Sequence, residues 1–182
     1  MRRKSHKLLG EYLAREYMTD IPKSYVCAFL IGCVEPDRNP ATYLKGSLKF
    51  QWLRGHNYRN ARSYMCRLSR RLESRSRLRL LDYYSIGKLI HYTTDSFTSA
   101  HNDSFPTRLE EHRAYEAMLQ RYFLAFLSRN PLPAAASGQR VMDTIRVQHR
   151  LYSRLPADIR TDTRFAFAAC CGVLATLLPK PV

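Results

Sequence analysis

Apolar residues recur along most of the chain at spacings of three and four, which is the period of a helix that buries one face. The stripe from Leu8 to Leu13 is one example, and Ser5 can cap a helix over residues 6–17. With only seven glycines and no alternating runs of Val, Ile and Thr, the chain offers little from which to build a sheet. The pattern therefore predicts an all-α protein.

Short breaks separate the predicted helices. After the first helix, an apolar segment covers residues 25–34, and Pro36 then stops regular structure and leaves Asp37 on a loop. Residues 38–55 look irregular, and residues 130–138 form a second loop. Further helices are predicted over residues 57–81, 83–100, 107–128, 139–154 and 157–178. Six or seven helices with short connections predict one compact multi-helix bundle over residues 1–182.

The apolar content also bears on location. Residues 165–178 form the longest apolar run, which is too short to span a bilayer comfortably and favours a buried core helix over a membrane-surface segment. The basic start of the chain is not followed by a continuous apolar stretch, so no signal peptide is predicted. The five cysteines include no CxxC pair. We therefore expect a cytoplasmic protein whose thiols stay reduced, and association with a membrane is compatible with this location.

The net charge of the chain indicates which partners it attracts. Thirty Lys and Arg against fifteen Asp and Glu give a formal net charge of +15. A positive field of this size attracts phosphate-bearing surfaces, either anionic lipid or nucleic acid. The alternative is that the basic surface only keeps the protein soluble.

The histidines indicate candidate chemistry, since three of the six lie between positions 91 and 112, among carboxylates. His91 and Asp95 are four residues apart, as are His112 and Glu116, so each pair returns to within roughly 40° on one helix face. His101 falls on the same side if the helix persists. A single pair of this kind is usually a surface staple, but the joint pattern of imidazoles and carboxylates without thiolates is typical of a catalytic zinc site.

The other three histidines carry weaker signals. A lone His6 or His56 is more often a solvent-facing or capping residue, and His149 has no carboxylate at helical spacing. Asn57, Tyr92 and Asn102 are candidates for orienting the metal ligands, although plain polar groups on a helix surface explain them as well.

Together these residues resemble the zinc-dependent phospholipase C family, whose helical fold is shared with zinc nucleases that act on single strands. The family's core motif stands here as His91-x3-Asp95-x5-His101 followed by His112-x3-Glu116. Upstream, the family has an early His, an Asp on a loop and another His. His6, Asp37 and His56 occur in that order.

The resemblance implies a cluster of two or three zinc ions. One ion would be held by Asp37, His56, His91 and Asp95, and a second by His101, His112 and Glu116. A third would be held by His6 and a bridging Asp95, completed by the N-terminal amine, for which Met1, five residues before His6, could serve.

The implied activity is hydrolysis of phosphate diesters, with phospholipids as the expected substrates and anionic membrane as a possible peripheral contact. Asp37 would act as the catalytic base that takes the proton of the attacking water. Two alternatives stay open: a single-strand-specific zinc nuclease, in which the Arg-rich helix after Arg59 follows the nucleic acid backbone, and a metal-binding domain of the same fold without turnover.

Overall fold

The computed structural model describes residues 1–39, 56–101, 109–129, 139–156 and 158–178. Seven α-helices and no strands lie in these ranges, which confirms the predicted all-α class. The helices are α1 (Arg3–Tyr17), α2 (Lys23–Val34), α3 (Tyr58–Glu73), α4 (Leu80–Ser96), α5 (Leu109–Leu127), α6 (Val141–Tyr152) and α7 (Ile159–Leu177).

Helix α4 is the centre of the fold and packs against α2, α3 and α7. Its apolar residues Ile86, Leu89 and Ile90 are almost completely buried, and so are the polar side chains of His91 and Asp95 in its last turns. A helix enclosed on all sides must present its polar groups to the protein interior, where they need partners. This position makes α4 the scaffold of the candidate site.

The contact between α2 and α4 is unusually close because it is lined by glycine. A Cβ atom at Gly32 would collide with the backbone carbonyl of Tyr84, and a Cβ at Gly87 would collide with that of Phe29. The absence of both side chains lets the two helix backbones approach directly. This approach brings the last turn of α2 next to His91.

Several predicted element boundaries are wrong. Ser5 is not a cap, because α1 begins at Arg3 and Ser5 is buried within it. The helix predicted over residues 57–81 ends at Glu73, and α4 begins at Leu80, where the backbone N–H of Arg79 donates to the Asp82 carboxylate at 3.0 Å.

The region of α4 that precedes His101 also differs from the prediction. The helix ends at Ser96 instead of continuing to residue 100, and His101 belongs to a separate 3₁₀ turn, Ser99–His101. The hydroxyls of Thr94, Ser96 and Thr98 each donate to the carbonyl four residues earlier, a pattern that competes with continued helix. Likewise, Asp37 lies in a 3₁₀ turn, Glu35–Asp37, and not on an irregular loop.

The last helix forms part of the core. Phe167, Cys170 and Leu174 of α7 are among its buried residues, so the run predicted as a core helix is one. In the described residues no helix has the length and apolar character needed to cross a membrane. All five cysteines are free thiols, while the cytoplasmic location stays a prediction. The predicted loop over residues 130–138 and Asn102 lie outside the described residues.

Candidate metal centre

Seven of the eight predicted ligand side chains converge from six different segments of the chain. These are His6 from α1, Asp37 from the turn after α2, His56 just before α3, His91 and Asp95 from α4, His101 from the second 3₁₀ turn and Glu116 from α5. The side chain of the eighth, His112, lies outside the described part of the structure.

Asp95 is at the centre of this cluster and is completely buried. Its Oδ2 atom lies 3.1 Å from Nδ1 of His56 and 3.2 Å from Nε2 of His91. Its Oδ1 atom lies 3.2 Å from Nε2 of His6 and 2.7 Å from the Met1 nitrogen. The two oxygens of one carboxylate therefore face two separate sets of donors.

The first set is completed by Asp37, whose Oδ1 lies 3.7 Å from Nδ1 of His56 and 3.6 Å from Nε2 of His91. Asp37, His56 and His91 each offer a donor atom within 4.8 Å of the other two, and the same holds for His6, His91 and Asp95. Distances of this size leave room for a cation that all three side chains could contact.

A second grouping lies on the Oδ1 side of Asp95. Nε2 of His101 is 3.5 Å from Asp95 Oδ1 and 3.6 Å from Oε1 of Glu116, and it also contacts the Met1 nitrogen. The Met1 nitrogen is 3.3 Å from Glu116 Oε1. The Met1 amine thus lies between His101, Glu116 and Asp95, beside His6.

One histidine has its orientation set by the backbone. Nδ1 of His91 lies 2.9 Å from the carbonyl oxygen of Cys33 in the last turn of α2, where carbonyls have no partner within their own helix. Since a carbonyl can only accept, the proton resides on Nδ1, and the lone pair of Nε2 is directed towards Asp37 and Asp95.

Two buried polar atoms of these ligands lack hydrogen-bond partners in the described structure. They are Nδ1 of His6 and Oδ2 of Asp37. Buried polar atoms are rarely left unsatisfied, because each one costs about 1–3 kcal/mol. Such atoms in a group of nitrogen and oxygen donors fit a site for divalent cations.

The protonation states of His6 and Asp95 also suit metal binding. Burial, together with the neighbouring His91, lowers the pKa of His6 to about 4, so this imidazole is neutral near pH 7. Although burial alone raises the pKa of Asp95, the positive charges around it, His101 and the Met1 ammonium first, hold that pKa well below its usual range. Neutral imidazole and ionised carboxylate are the forms that bind zinc.

A second buried carboxylate, Asp162 of α7, supports the elements that carry His101 and Glu116. Its oxygens accept hydrogen bonds from the backbone N–H and the hydroxyl of Ser99, and from the hydroxyls of Tyr115 and Tyr152, all at 2.7 Å. Ser99 is in the turn of His101, and Tyr115 precedes Glu116. The sequence pattern did not indicate Asp162, which has no metal-ligand spacing to a histidine.

The other residues singled out in the sequence have different roles. Asn57 is the N-cap of α3, where its side chain accepts from the backbone N–H of Asn60 at 2.9 Å. Tyr92 is buried with its ring edge-on to His56 and His91. His149 lies away from these contacts and stacks on Tyr58, with 3.7 Å between ring centroids.

Comparison with known proteins agrees with this arrangement. The family model described as zinc dependent phospholipase C matches residues 5–174 of the 182-residue chain. Neither curated proteins nor solved structures give a match. Because the family match covers most of the chain and includes all eight predicted ligand residues, this chain belongs to the zinc-dependent phospholipase C family.

Proposed function

We propose that the protein is a zinc-dependent phosphodiester hydrolase that acts on phospholipids. The observation that supports it most is the position of Asp95, whose two carboxylate oxygens each face a separate group of imidazole and carboxylate donors. A carboxylate in this position can bridge two cations that lie a few ångströms apart, which is the arrangement used to cleave phosphate esters.

The ligand assignment follows the two sides of Asp95. On the Oδ2 side, Asp37, His56 and His91 would hold one ion with Asp95. On the Oδ1 side, His6 and the Met1 amine would hold a second. His101 and Glu116, with His112 on the same helix as Glu116, would hold a third. The total of two or three ions is part of the proposal.

Bound zinc would supply positive charge to the phosphate oxygens and lower the pKa of a bound water towards neutrality. The chain's own residues would orient the attacking water and take its proton. Asp37 is suited to accept the proton, since its Oδ1 faces His56 and His91 while its buried Oδ2 has no hydrogen-bond partner in the described residues. The Cys33 carbonyl keeps His91 in the tautomer that directs Nε2 to the cluster.

The proposal is tested on protein purified without chelator. Elemental analysis should find zinc at two or three ions per chain, and a dispersed short-chain phosphatidylcholine should release its phosphorylated head group. Asp37→Asn should keep most of the metal and lose most of the turnover, since an amide cannot accept the proton. A protein without bound zinc, or an Asp37→Asn variant with full turnover, would contradict the assignment.

The same preparation separates the alternatives. Cleavage of single-stranded oligonucleotides with no release of head group would identify a nuclease instead. Full zinc content with no turnover of either substrate would identify a metal-binding domain without catalysis.

A further inference from the structure

The exposed face of α6 is both apolar and basic. Val147 and Leu151 of α6 and Leu155 in the turn that follows are exposed at 54%, 51% and 48%. They are four residues apart, and the backbone bonds from Ser153 to His149 and from Leu155 to Tyr152 continue the helical path. Each four-residue step turns by roughly 40°, so the three side chains form one row. An exposed aliphatic row is costly unless another surface covers it.

A row of arginines runs beside the aliphatic row. Arg146, Arg150 and Arg154 each precede one of its members in the sequence, and no Asp or Glu occurs between residues 144 and 155. Arg150 and Arg154 are exposed, while Arg146 is 3.3 Å from Asp143 at the start of the helix. An aliphatic row flanked by arginines is the pattern of a helix that lies in the interface of an anionic membrane.

Helix α6 packs near the candidate metal centre through the side opposite its aliphatic row. His149 of α6 stacks on Tyr58, the first residue of α3, and His56 of the centre is two residues before Tyr58. Arg62 of α3 and Arg150 of α6 are close enough to Tyr58 for their charges to act on its hydroxyl. The side of α6 that carries His149 therefore adjoins the start of α3, two residues after the ligand His56, while the aliphatic row points away from that contact.

The kind of exposed side chain discriminates between lipid and nucleic acid. Proteins that bind single strands stack bases on exposed aromatic rings. Among the described residues the exposed large hydrophobic side chains are aliphatic or Met, and none is aromatic. Tyr58, on which the charges of Arg62 and Arg150 act, is half-buried and covered on one side by His149.

We infer that Val147, Leu151 and Leu155, with Arg150, Arg154 and Arg62, form a docking surface for an anionic phospholipid bilayer. The arginines contact lipid phosphates and carboxylates while the aliphatic row enters the boundary of the acyl chains. The inference rests on the proposed function for the role of lipid as substrate, but docking itself does not require turnover.

The test is sedimentation with sucrose-loaded vesicles of phosphatidylcholine, with and without phosphatidylserine. The whole protein should pellet with the anionic vesicles, and added salt should release it. The variant R150Q/R154Q should bind at least tenfold more weakly, since each Arg near an anionic surface contributes about 1 kcal/mol. The matched control R121Q/R129Q removes the same charge from two exposed arginines, Arg121 of α5 and Arg129 in the turn that follows it, and should bind like the wild type.

The aliphatic row is tested separately. L151S/L155S should also weaken binding, without a change in charge. M118S/L124S removes side chains of matched exposure, 52% and 53%, from α5 and should not weaken it. Circular dichroism of all four variants should match the wild type, because the changed side chains are exposed.

Three results would overturn the inference. One is an equal loss of binding in the α6 and α5 variants, which would indicate net charge alone. Another is tighter binding of single-stranded oligonucleotides through the same arginines. The last is a dimer in sedimentation velocity that only L151S/L155S dissociates, since a second copy of the chain would then cover the row.

One experiment distinguishes this inference from the proposed function. Protein in the pellet reports docking, while phosphorylated head group in the supernatant reports hydrolysis. Patch-dependent pelleting without head-group release would support the docking surface and count against the hydrolase. Hydrolysis of dispersed short-chain lipid without pelleting would support the hydrolase and count against the docking surface.

Discussion

Replacement of Asp162 by Ala should weaken the metal centre from a position that contributes no ligand. Asp162 is fully buried and accepts four hydrogen bonds at 2.7 Å, two from Ser99 and one each from Tyr115 and Tyr152. Alanine would leave the buried N–H of Ser99 without an acceptor, while the Ser99 hydroxyl would keep only the Tyr152 hydroxyl, at 3.2 Å, as a partner.

The expected magnitude follows from these bonds. A buried donor left without its acceptor costs about 1–3 kcal/mol, so the N–H of Ser99 alone gives a loss of about 1–3 kcal/mol in the free energy of unfolding. Burial raises the pKa of Asp162, so part of this loss is offset because a buried charge is removed. The Ser99–His101 turn would also lose its anchor, and displaced supporting contacts weaken metal sites about 10–100-fold.

The assay combines chemical denaturation with zinc titration against a fluorescent chelator. Asp162→Asn is the conservative control, since its amide oxygen can still accept from Ser99, and it should recover part of both losses. Full zinc affinity in the Ala variant, at a temperature where it remains folded, would refute the idea that Asp162 positions His101 and Glu116. A loss of stability alone would then show that it only supports the fold.

Three further predictions concern metal and pH. Asp95→Asn should lower both the zinc content and the thermal midpoint, because the carboxylate shared by both donor sets is lost. The control His149→Phe should keep its full zinc content. An unchanged zinc content in Asp95→Asn would refute the proposed site. Removal of zinc by a chelator should lower the thermal midpoint, and readdition of zinc should restore it. At a free zinc concentration a thousandfold above the dissociation constant, bound zinc should add about 4 kcal/mol to the free energy of unfolding. Burial lowers the pKa of His149 from 6.5 to about 4, so the unfolded chain binds its proton first and stability should fall as pH drops from 6.5 to 4. After allowance for partial exposure this contribution is about 1–2 kcal/mol, and the difference in free energy of unfolding between the wild type and His149→Phe should change with pH by that amount in urea titrations.

The helical period made part of the site predictable. His91 and Asp95 are four residues apart on a helix, and the structure places both on the same buried side of α4. His101 does lie near them, but the reason given from the sequence is wrong. The helix ends at Ser96, and a 3₁₀ turn held by Asp162 brings His101 back. A continuous period cannot reveal such a break.

Long-range contacts set the limit of the sequence analysis. His6, Asp37 and His56 could be proposed only by their order in the family pattern, because local spacing does not show which distant segments meet. Asp162 was missed for the same reason. The only signal available was an acidic residue at the start of an otherwise apolar helix, and such residues commonly interact with the helix dipole.

The glycines between α2 and α4 extend the requirements of the site beyond its donor atoms. A chain with every donor but a larger side chain at position 32 or 87 would hold the two helices apart. The Cys33 carbonyl could then no longer accept a hydrogen bond from the His91 ring, and the imidazole would be free to rotate. In this fold, competence to bind metal therefore depends on two residues that have no side chain to contribute, and a search for ligand motifs alone would accept sequences that cannot assemble the centre.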